Sequence, residues 1–171
     1  MKFYLFILII CPIFLFGQNT VSTKTSTCTA ILFKQQQQVP LLNNKGKVTC
    51  YIMNDTIKED YYAVTIFKIS HNMAYVSASA TLYDTIPRQG WIKIKYLGIY
   101  PSSFFKINLY SKPDLKSKIK SQIIKPEYYP FNILDCSGEW LYVKYFDADK
   151  KYKKGWLAPE DQCSNPYSTC N

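Results

Sequence analysis

Side chains able to perform catalysis are few in this chain of 171 residues, and their spacing assembles no catalytic group. The only histidine, His71, stands in a turn-like segment, so we interpret it as a turn residue and not as a general base. The acidic pairs Glu59-Asp60 and Glu160-Asp161 are sequence neighbours, which do not flank a scissile bond, and we interpret both as solvated turns. The six glycines are scattered singly and form no phosphate loop. We predict that the protein is not an enzyme and uses no cofactor.

Cysteines offer disulfide chemistry more readily than metal binding. No Cys-x-x-Cys pair occurs beside the single histidine, so we predict no metal site. Five cysteines follow the N-terminal apolar run, and an odd number leaves at least one thiol free or paired between chains. They are Cys28, Cys50, Cys136, Cys163 and Cys170. Candidate pairings are Cys163 with Cys170 as a clip on the tail, Cys28 with Cys50, and Cys136 with a tail cysteine; spacing does not choose among them.

Aromatic residues are in surplus, because 15 tyrosines and 3 tryptophans exceed what two small cores need. Many fall in residues 107–157, where short runs of aromatic and β-branched residues are separated by Gly, Pro, Asp and Ser. Such runs predict strands. Since successive side chains of a strand point to opposite faces, some of these rings must point outward. Exposed rings on a small β scaffold form shallow grooves for extended peptides or sugars.

The same pattern recurs more faintly in the first half of the chain. Tyr75-Val76 precedes Tyr142-Val143 by 67 positions, and Gly90-Trp91 precedes Gly155-Trp156 by 65. This period is too long for a solenoid repeat and predicts two tandem copies of one small β domain. The predicted domains are residues 39–97 and 106–163, joined by a linker at 98–105 and followed by a tail at 164–171.

The N-terminal segment predicts export. Residues 1–17 combine one lysine with an apolar run of signal-peptide length, and Pro12 interrupts that run. Residues 18–38 form a polar leader that includes a candidate first strand at 28–33. We therefore expect a periplasmic or secreted protein with no transmembrane segment after signal removal. A lipoprotein anchored at Cys11 is the minor alternative, because bulky Ile10 stands where a small residue is usual.

The charge is strongly basic, formally +9, and most of it is lysine. Lysines concentrate in residues 112–120 and 144–154. They could meet lipid headgroups, acidic glycans or cell-wall polymers. The interpretation that we favour is that they solvate loops and blunt sheet edges. Nucleic acid is not an expected partner, because the chain is predicted to be exported and carries no readout motif.

Several motifs of the second copy resemble, in order and spacing, a bacterial Src-homology-3-like (SH3-like) domain of the exported kind found beside cell-wall enzymes. The matching motifs are Asn108-Leu109-Tyr110, Gly138-Glu139-Trp140-Leu141-Tyr142-Val143, Gly155-Trp156-Leu157 and the turn Pro159-Glu160-Asp161. The tail is also similar to that of uncharacterised exported proteins with such domains. The resemblance implies an all-β protein of two tandem SH3-like barrels. Carried over by position, it implies an aromatic groove lined by Tyr110, Trp140, Tyr142 and Pro159.

The resemblance also implies a role in binding. We expect a non-catalytic exported module that recognises a cell-wall peptide or glycan through this groove. The alternative is a protein–protein interaction module, an exported inhibitor, immunity or envelope assembly factor, whose contact surface is the first copy or the lysine-rich face.

Overall fold

The structure is a computed structural model that describes residues 27–33, 37–127, 129–146, 151–165, 167 and 170. The predicted signal peptide and residues 18–26 of the predicted leader lie outside this part of the chain. The prediction of an all-β protein is confirmed, because the described residues form thirteen strands and two 3₁₀ turns and contain no α-helix. No helix in these residues is long and apolar enough to cross a membrane.

The strands alternate buried and half-exposed side chains, most regularly in the hairpin β4–β5. The elements of the first half are β1 Cys28–Leu32, β2 Val39–Leu42, β3 Val48–Ile52, β4 Tyr62–Ser70, β5 Met73–Ala80, β6 Arg88–Lys93, η1 Ile94–Tyr96 and β7 Leu97–Pro101. Those of the second half are β8 Lys106–Tyr110, β9 Ile119–Ile124, β10 Phe131–Ser137, β11 Trp140–Phe146, β12 Tyr152–Leu157, η2 Pro159–Asp161 and β13 Gln162–Cys163.

The strands form an open antiparallel sheet. Its order is β3-β2-β6-β5-β4-β1-β7-β10-β11-β12-β8-β9, and β13 pairs with β7. The two ends of this order, β3 and β9, do not pair with each other, so the sheet is not closed. The finer prediction of two separate closed barrels is not shown by this arrangement.

The two halves repeat one pattern of strand pairing. In the first half, β2 pairs with β3 and with β6, and in the second half β8 pairs in the same way with β9 and with β12. The three-stranded antiparallel meander β4–β5–β6 of the first half recurs as β10–β11–β12 in the second. The register shift between Ile66 and Lys68 in β4 recurs between Ile133 and Asp135 in β10. A bulge displaces the chain locally and re-aims side chains, so its recurrence places equivalent residues of the halves in equivalent positions.

Strand β7 lies where the sequence predicted a linker, and that prediction is wrong for residues 98–101. β7 pairs with β1 in the first half and with β10 and β13 in the second. Leu97, Gly98 and Ile99 are buried. The Pro-Ser-Ser sequence after Tyr100 suggested a turn, but the turn begins only after Pro101. The two halves therefore share a central strand instead of a flexible connection.

Two disulfides connect described residues and settle the candidate pairings. Cys163 bonds to Cys170, as one candidate pairing predicted, and among the described cysteines Cys50 is free. The pairings of Cys28 with Cys50 and of Cys136 with the tail are wrong, because Cys28 bonds to Cys136 across 108 positions, with a Cα–Cα distance of 6.2 Å. Cys28 belongs to β1, two strands from β10 in the sheet order, whereas Cys50 belongs to the edge strand β3.

The buried side chains of both halves form one continuous hydrophobic cluster. Leu41, Ile66 and Ile92 from the first half and Phe131 and Leu141 from the second are fully buried within it. The long-range disulfide joins this cluster, since Cys28 is buried and Cys136 packs against it. Each half alone is close to the lower size limit for a self-sufficient core, and the shared cluster offsets that limit.

Candidate functional site

Four aromatic side chains from three strands of the second half meet on one face of the sheet. Tyr142 of β11 is the direct cross-strand partner of Trp156 of β12, and Trp156 is the partner of Tyr110 of β8. Trp140 lies on the same face of β11, two residues from Tyr142. We call this set, Tyr110, Trp140, Tyr142 and Trp156, the aromatic face.

The rings of the aromatic face contact one another in two pairs. The centroids of Tyr110 and Trp140 are 5.5 Å apart with an interplanar angle of 87°, and those of Tyr142 and Trp156 are 5.3 Å apart at 53°. The first pair is edge-to-face and the second is tilted, and both avoid the unfavourable face-to-face stack. All four side chains are half-buried. The pairs thus hold one another in place while part of each ring remains open to solvent.

Strand alternation determines which residues form this face. Leu141 and Val143 of β11 are fully buried, so the intervening Tyr142 must point away from the core. β8 and β12 follow the same rule, with Leu109 and Leu157 buried beside the outward rings.

A glycine sets the distance between two of these strands. A Cβ atom built on Gly155 of β12 would lie 2.7 Å from the Cβ of Leu109 and 3.0 Å from the carbonyl oxygen of Tyr110. The same close approach occurs in the first half, where a Cβ on Gly90 would lie 2.9 Å from the carbonyl oxygen of Leu42. Only glycine lets β12 approach β8 closely enough to bring Trp156 beside Tyr110.

Lysines border the aromatic face. The ammonium group of Lys120 lies 5.8 Å from the centre of the Tyr142 ring and donates a hydrogen bond to the Tyr142 hydroxyl at 3.4 Å. Farther along β11, the ammonium of Lys144 lies 3.6 Å from the centre of the Tyr152 ring. Cation–π contacts of this kind orient lysine heads over rings without neutralising their charge. The border of the face therefore stays positive.

The structure brings together three of the four residues predicted for the groove, namely Tyr110, Trp140 and Tyr142. Pro159 begins η2 and is half-buried, and it takes no part in the ring stacking. Trp156 was missed as a groove residue, although the Gly-Trp-Leu motif was recognised as a strand. The signal was the alternation of this strand, in which Trp156 stands between Gly155 and Leu157 on the core side. That these residues bind a ligand stays a prediction.

The first half carries a reduced version of this face. Tyr75 and Trp91 are cross-strand partners whose ring centroids are 5.4 Å apart at 52°, nearly the geometry of Tyr142 and Trp156. However, Leu42 occupies the position of Tyr110, and Met73 occupies that of Trp140. The Trp91 indole also donates a hydrogen bond to the Asn44 side chain at 2.9 Å. The first half thus keeps one ring pair and lacks the other.

Two residues weighed for catalysis, His71 and Asp60, make hydrogen bonds within the described part of the chain. His71 is exposed in the β4–β5 turn with φ 49°, and its Nδ1 lies 2.9 Å from the Ser70 hydroxyl. The solvated-turn interpretation is wrong for Asp60, which is buried and accepts hydrogen bonds from the backbone N–H groups of Thr81, Leu82 and Tyr83. Desolvation by burial raises the pKa of Asp60, but these backbone donors lower it more, so the net pKa is below its ordinary value.

No group of three or more His, Cys, Asp or Glu side chains that could hold a metal ion occurs among the described residues. No protein-family model, no curated protein and no solved structure matches this chain.

The carboxyl group of Asp161 in η2 provides a prediction about pH. Burial, with repulsion from Glu160 as the smaller cause, raises its pKa to about 6. A raised carboxyl pKa means that the folded state holds the proton more tightly than the unfolded state, so ionisation at higher pH costs stability. We expect Asp161→Asn to increase the free energy of unfolding by about 1 kcal/mol above pH 6, after allowance for partial exposure.

The gain should disappear below about pH 4, where the carboxyl group is protonated in both states. Urea denaturation at several pH values measures it, with Glu139→Gln as the control that removes an exposed carboxylate. Equal or lower stability of Asp161→Asn at neutral pH would contradict the assignment.

Proposed function

We propose that the protein is a non-catalytic binding module built from two SH3-like units, and that the aromatic face of the second unit recognises an extended ligand. The observation that carries this proposal is the contiguous set of half-exposed rings on β8, β11 and β12. Rings held by one another present flat apolar surfaces at little further entropic cost, which suits stacking against sugar rings or the side chains of an extended peptide.

A cell-wall peptide or glycan is the ligand that we propose. Stacking on tryptophan and tyrosine would supply most of the affinity, and the bordering lysines would steer anionic ligands toward the face. The two disulfides are compatible with a protein that folds in an oxidising compartment outside the cytoplasm. Export and contact with the cell wall form part of the proposal.

Co-sedimentation with purified peptidoglycan tests this function. Wild type should pellet with the polymer, and Trp140→Ala should weaken the apparent affinity by about tenfold or more, because a central aromatic contact typically contributes ~2 kcal/mol. Trp91→Ala is the control, because it also removes a half-exposed tryptophan but from the first half, outside the aromatic face, and it should bind like wild type. If wild type does not pellet, or if both variants bind like wild type, the aromatic face is not the binding site.

A protein–protein interaction module is the second candidate, and a specific feature of the first half favours it. β3 is an end strand of the sheet, and its neighbourhood exposes large apolar side chains. Tyr51 is 53% exposed and Met53 42%, and Leu82 and Tyr83 are exposed in the loop that Asp60 holds. An exposed apolar edge strand offers unpaired backbone groups to a strand of another chain. An inhibitor, immunity protein or envelope assembly factor would use such an edge.

A pull-down from envelope extract separates the two candidates. A single stoichiometric protein that is lost with Tyr51→Lys and retained with Trp140→Ala would favour the edge strand. A partner lost with Trp140→Ala and retained with Tyr51→Lys would instead assign protein binding to the aromatic face.

A further inference from the structure

An open cleft of about 530 Å³ lies between the two halves, apart from the rings of the aromatic face. The first half contributes the β4–β5 turn at residues 71–73 and residues 93–95, where β6 passes into η1. The second half contributes residues 132–134 of β10 and Lys144 of β11. The volume is within the range of small-molecule sites and is too small for a folded partner.

The cleft is lined by positive charge. Lys93, Lys95 and Lys144 line it, and none of its lining residues is acidic. The ion pairs within the described residues, Lys58–Asp55 and Arg88–Asp84, do not involve them. Unneutralised charges around a concave surface focus the electrostatic field and concentrate counter-ions there. Lys144 belongs to the lysine cluster at 144–154 that stood out in the sequence, whereas the cluster at 112–120 contributes no residue to the cleft.

The floor of the cleft is apolar. Ile94 and Ile133 are buried, and Met73 and Leu134 are half-buried. Leu134 occupies the bulge of β10, where the register against β11 shifts, and a bulge re-aims the side chain it carries. Phe67 occupies the equivalent bulge of the first half, where its ring lies 6.2 Å from Tyr75 of the same half. The second half uses the repeated bulge to line the cleft instead.

We propose that this cleft binds a small amphipathic anion, a molecule with a carboxylate or phosphate group joined to an apolar body. The apolar body would pack on the floor, and the lysines around it would hold the charged group. Lysine presents a point charge without the planar fork of arginine, so it accepts either anion without geometric selection. The cleft contains none of the rings of the aromatic face, although Lys144 borders both, and the proposal does not depend on the function proposed above.

Chemical-shift mapping on the isotope-labelled protein tests the site with octanoate, octyl phosphate and octylammonium as probes. We expect the two anions at millimolar concentration to shift backbone amides of residues 71–73, 93–95 and 132–134, and the cation of equal chain length to shift none of them. The paired variant Lys93→Gln with Lys95→Gln should weaken binding of the anions about five- to tenfold. The matched control is Lys116→Gln with Lys118→Gln, which removes the same net charge from an exposed loop outside the cleft and should bind like wild type.

Binding of only one of the two anions would support the site and identify its headgroup. Trp140→Ala should leave the affinity for these probes unchanged, which separates this site from the aromatic face. The proposal is overturned if the cleft amides do not shift, if octylammonium shifts them equally, or if the control pair weakens binding as much as the cleft pair.

Discussion

Replacement of both Cys28 and Cys136 by alanine is expected to lower the free energy of unfolding by about 4–5 kcal/mol. The disulfide joins residues 108 positions apart, and the chain-entropy model assigns about 4.7 kcal/mol to a closed loop of about this length. It also links β1 of the first half to β10 of the second, beside the shared core. Since small domains have total stabilities of about 5–15 kcal/mol, this loss would bring the fold close to its limit.

Urea denaturation without reductant measures this loss, and two control variants test its origin. Cys163→Ala with Cys170→Ala opens a loop of only 7 positions and should cost about 2 kcal/mol or less. Cys50→Ala removes the free thiol and should change stability little. Reductant should destabilise wild type more than the Cys28 and Cys136 double variant, which has only the Cys163–Cys170 disulfide left to lose. A double variant within about 1 kcal/mol of wild type would show that the core alone holds the halves together.

Gly155→Ala is expected to cost about 2–3 kcal/mol and to impair the aromatic face as well. The added methyl group would meet Leu109 Cβ at 2.7 Å and the Tyr110 carbonyl at 3.0 Å, and backbone cannot yield as a flexible side chain can. β12 would have to move away from β8, which would separate Trp156 from Tyr110. Thermal denaturation measures the first effect, and peptidoglycan co-sedimentation measures the second.

Alanine substitutions at two other glycines distinguish the effect of Gly155→Ala on stability from its effect on binding. Gly90→Ala creates the equivalent clash in the first half, at 2.9 Å from the Leu42 carbonyl oxygen, and should destabilise the protein while the aromatic face still binds. Gly138→Ala meets no atom within 4 Å but has φ +62°, so it should cost only the backbone strain of about 1 kcal/mol. If Gly155→Ala and Gly138→Ala behave alike, the close approach of β8 and β12 is not what the glycine provides.

Part of the aromatic face could be predicted from the alternation of residues along a single strand. The alternation Trp140-Leu141-Tyr142-Val143 predicts that two rings share one side of a strand, and the structure places both there. Trp156 was not assigned to that side, because its membership depends on the register between β11 and β12. Register is a non-local property, set by which strands pair and by the space that Gly155 leaves between β12 and β8.

The predicted linker shows the opposite case. Residues 98–101 carry turn-forming Gly and Pro, so local signals predict a connection. Their apolar residues instead complete the sheet between β1 and β10. A strand shared by two halves has no local signature, because its partners lie at distant positions in the chain.

The sequence by itself determined that this chain forms strands, which side of each strand is apolar, and that a ring-rich pattern occurs in both halves. These properties depend on residues a few positions apart, and period-two alternation records them directly. Only the tertiary structure decided that Cys28 pairs with Cys136, that β7 belongs to both halves, and that Lys93, Lys95 and Lys144 surround one cleft. Each of these depends on contacts between residues far apart in the chain, which are chosen by the packing of the whole sheet and leave no trace in local spacing.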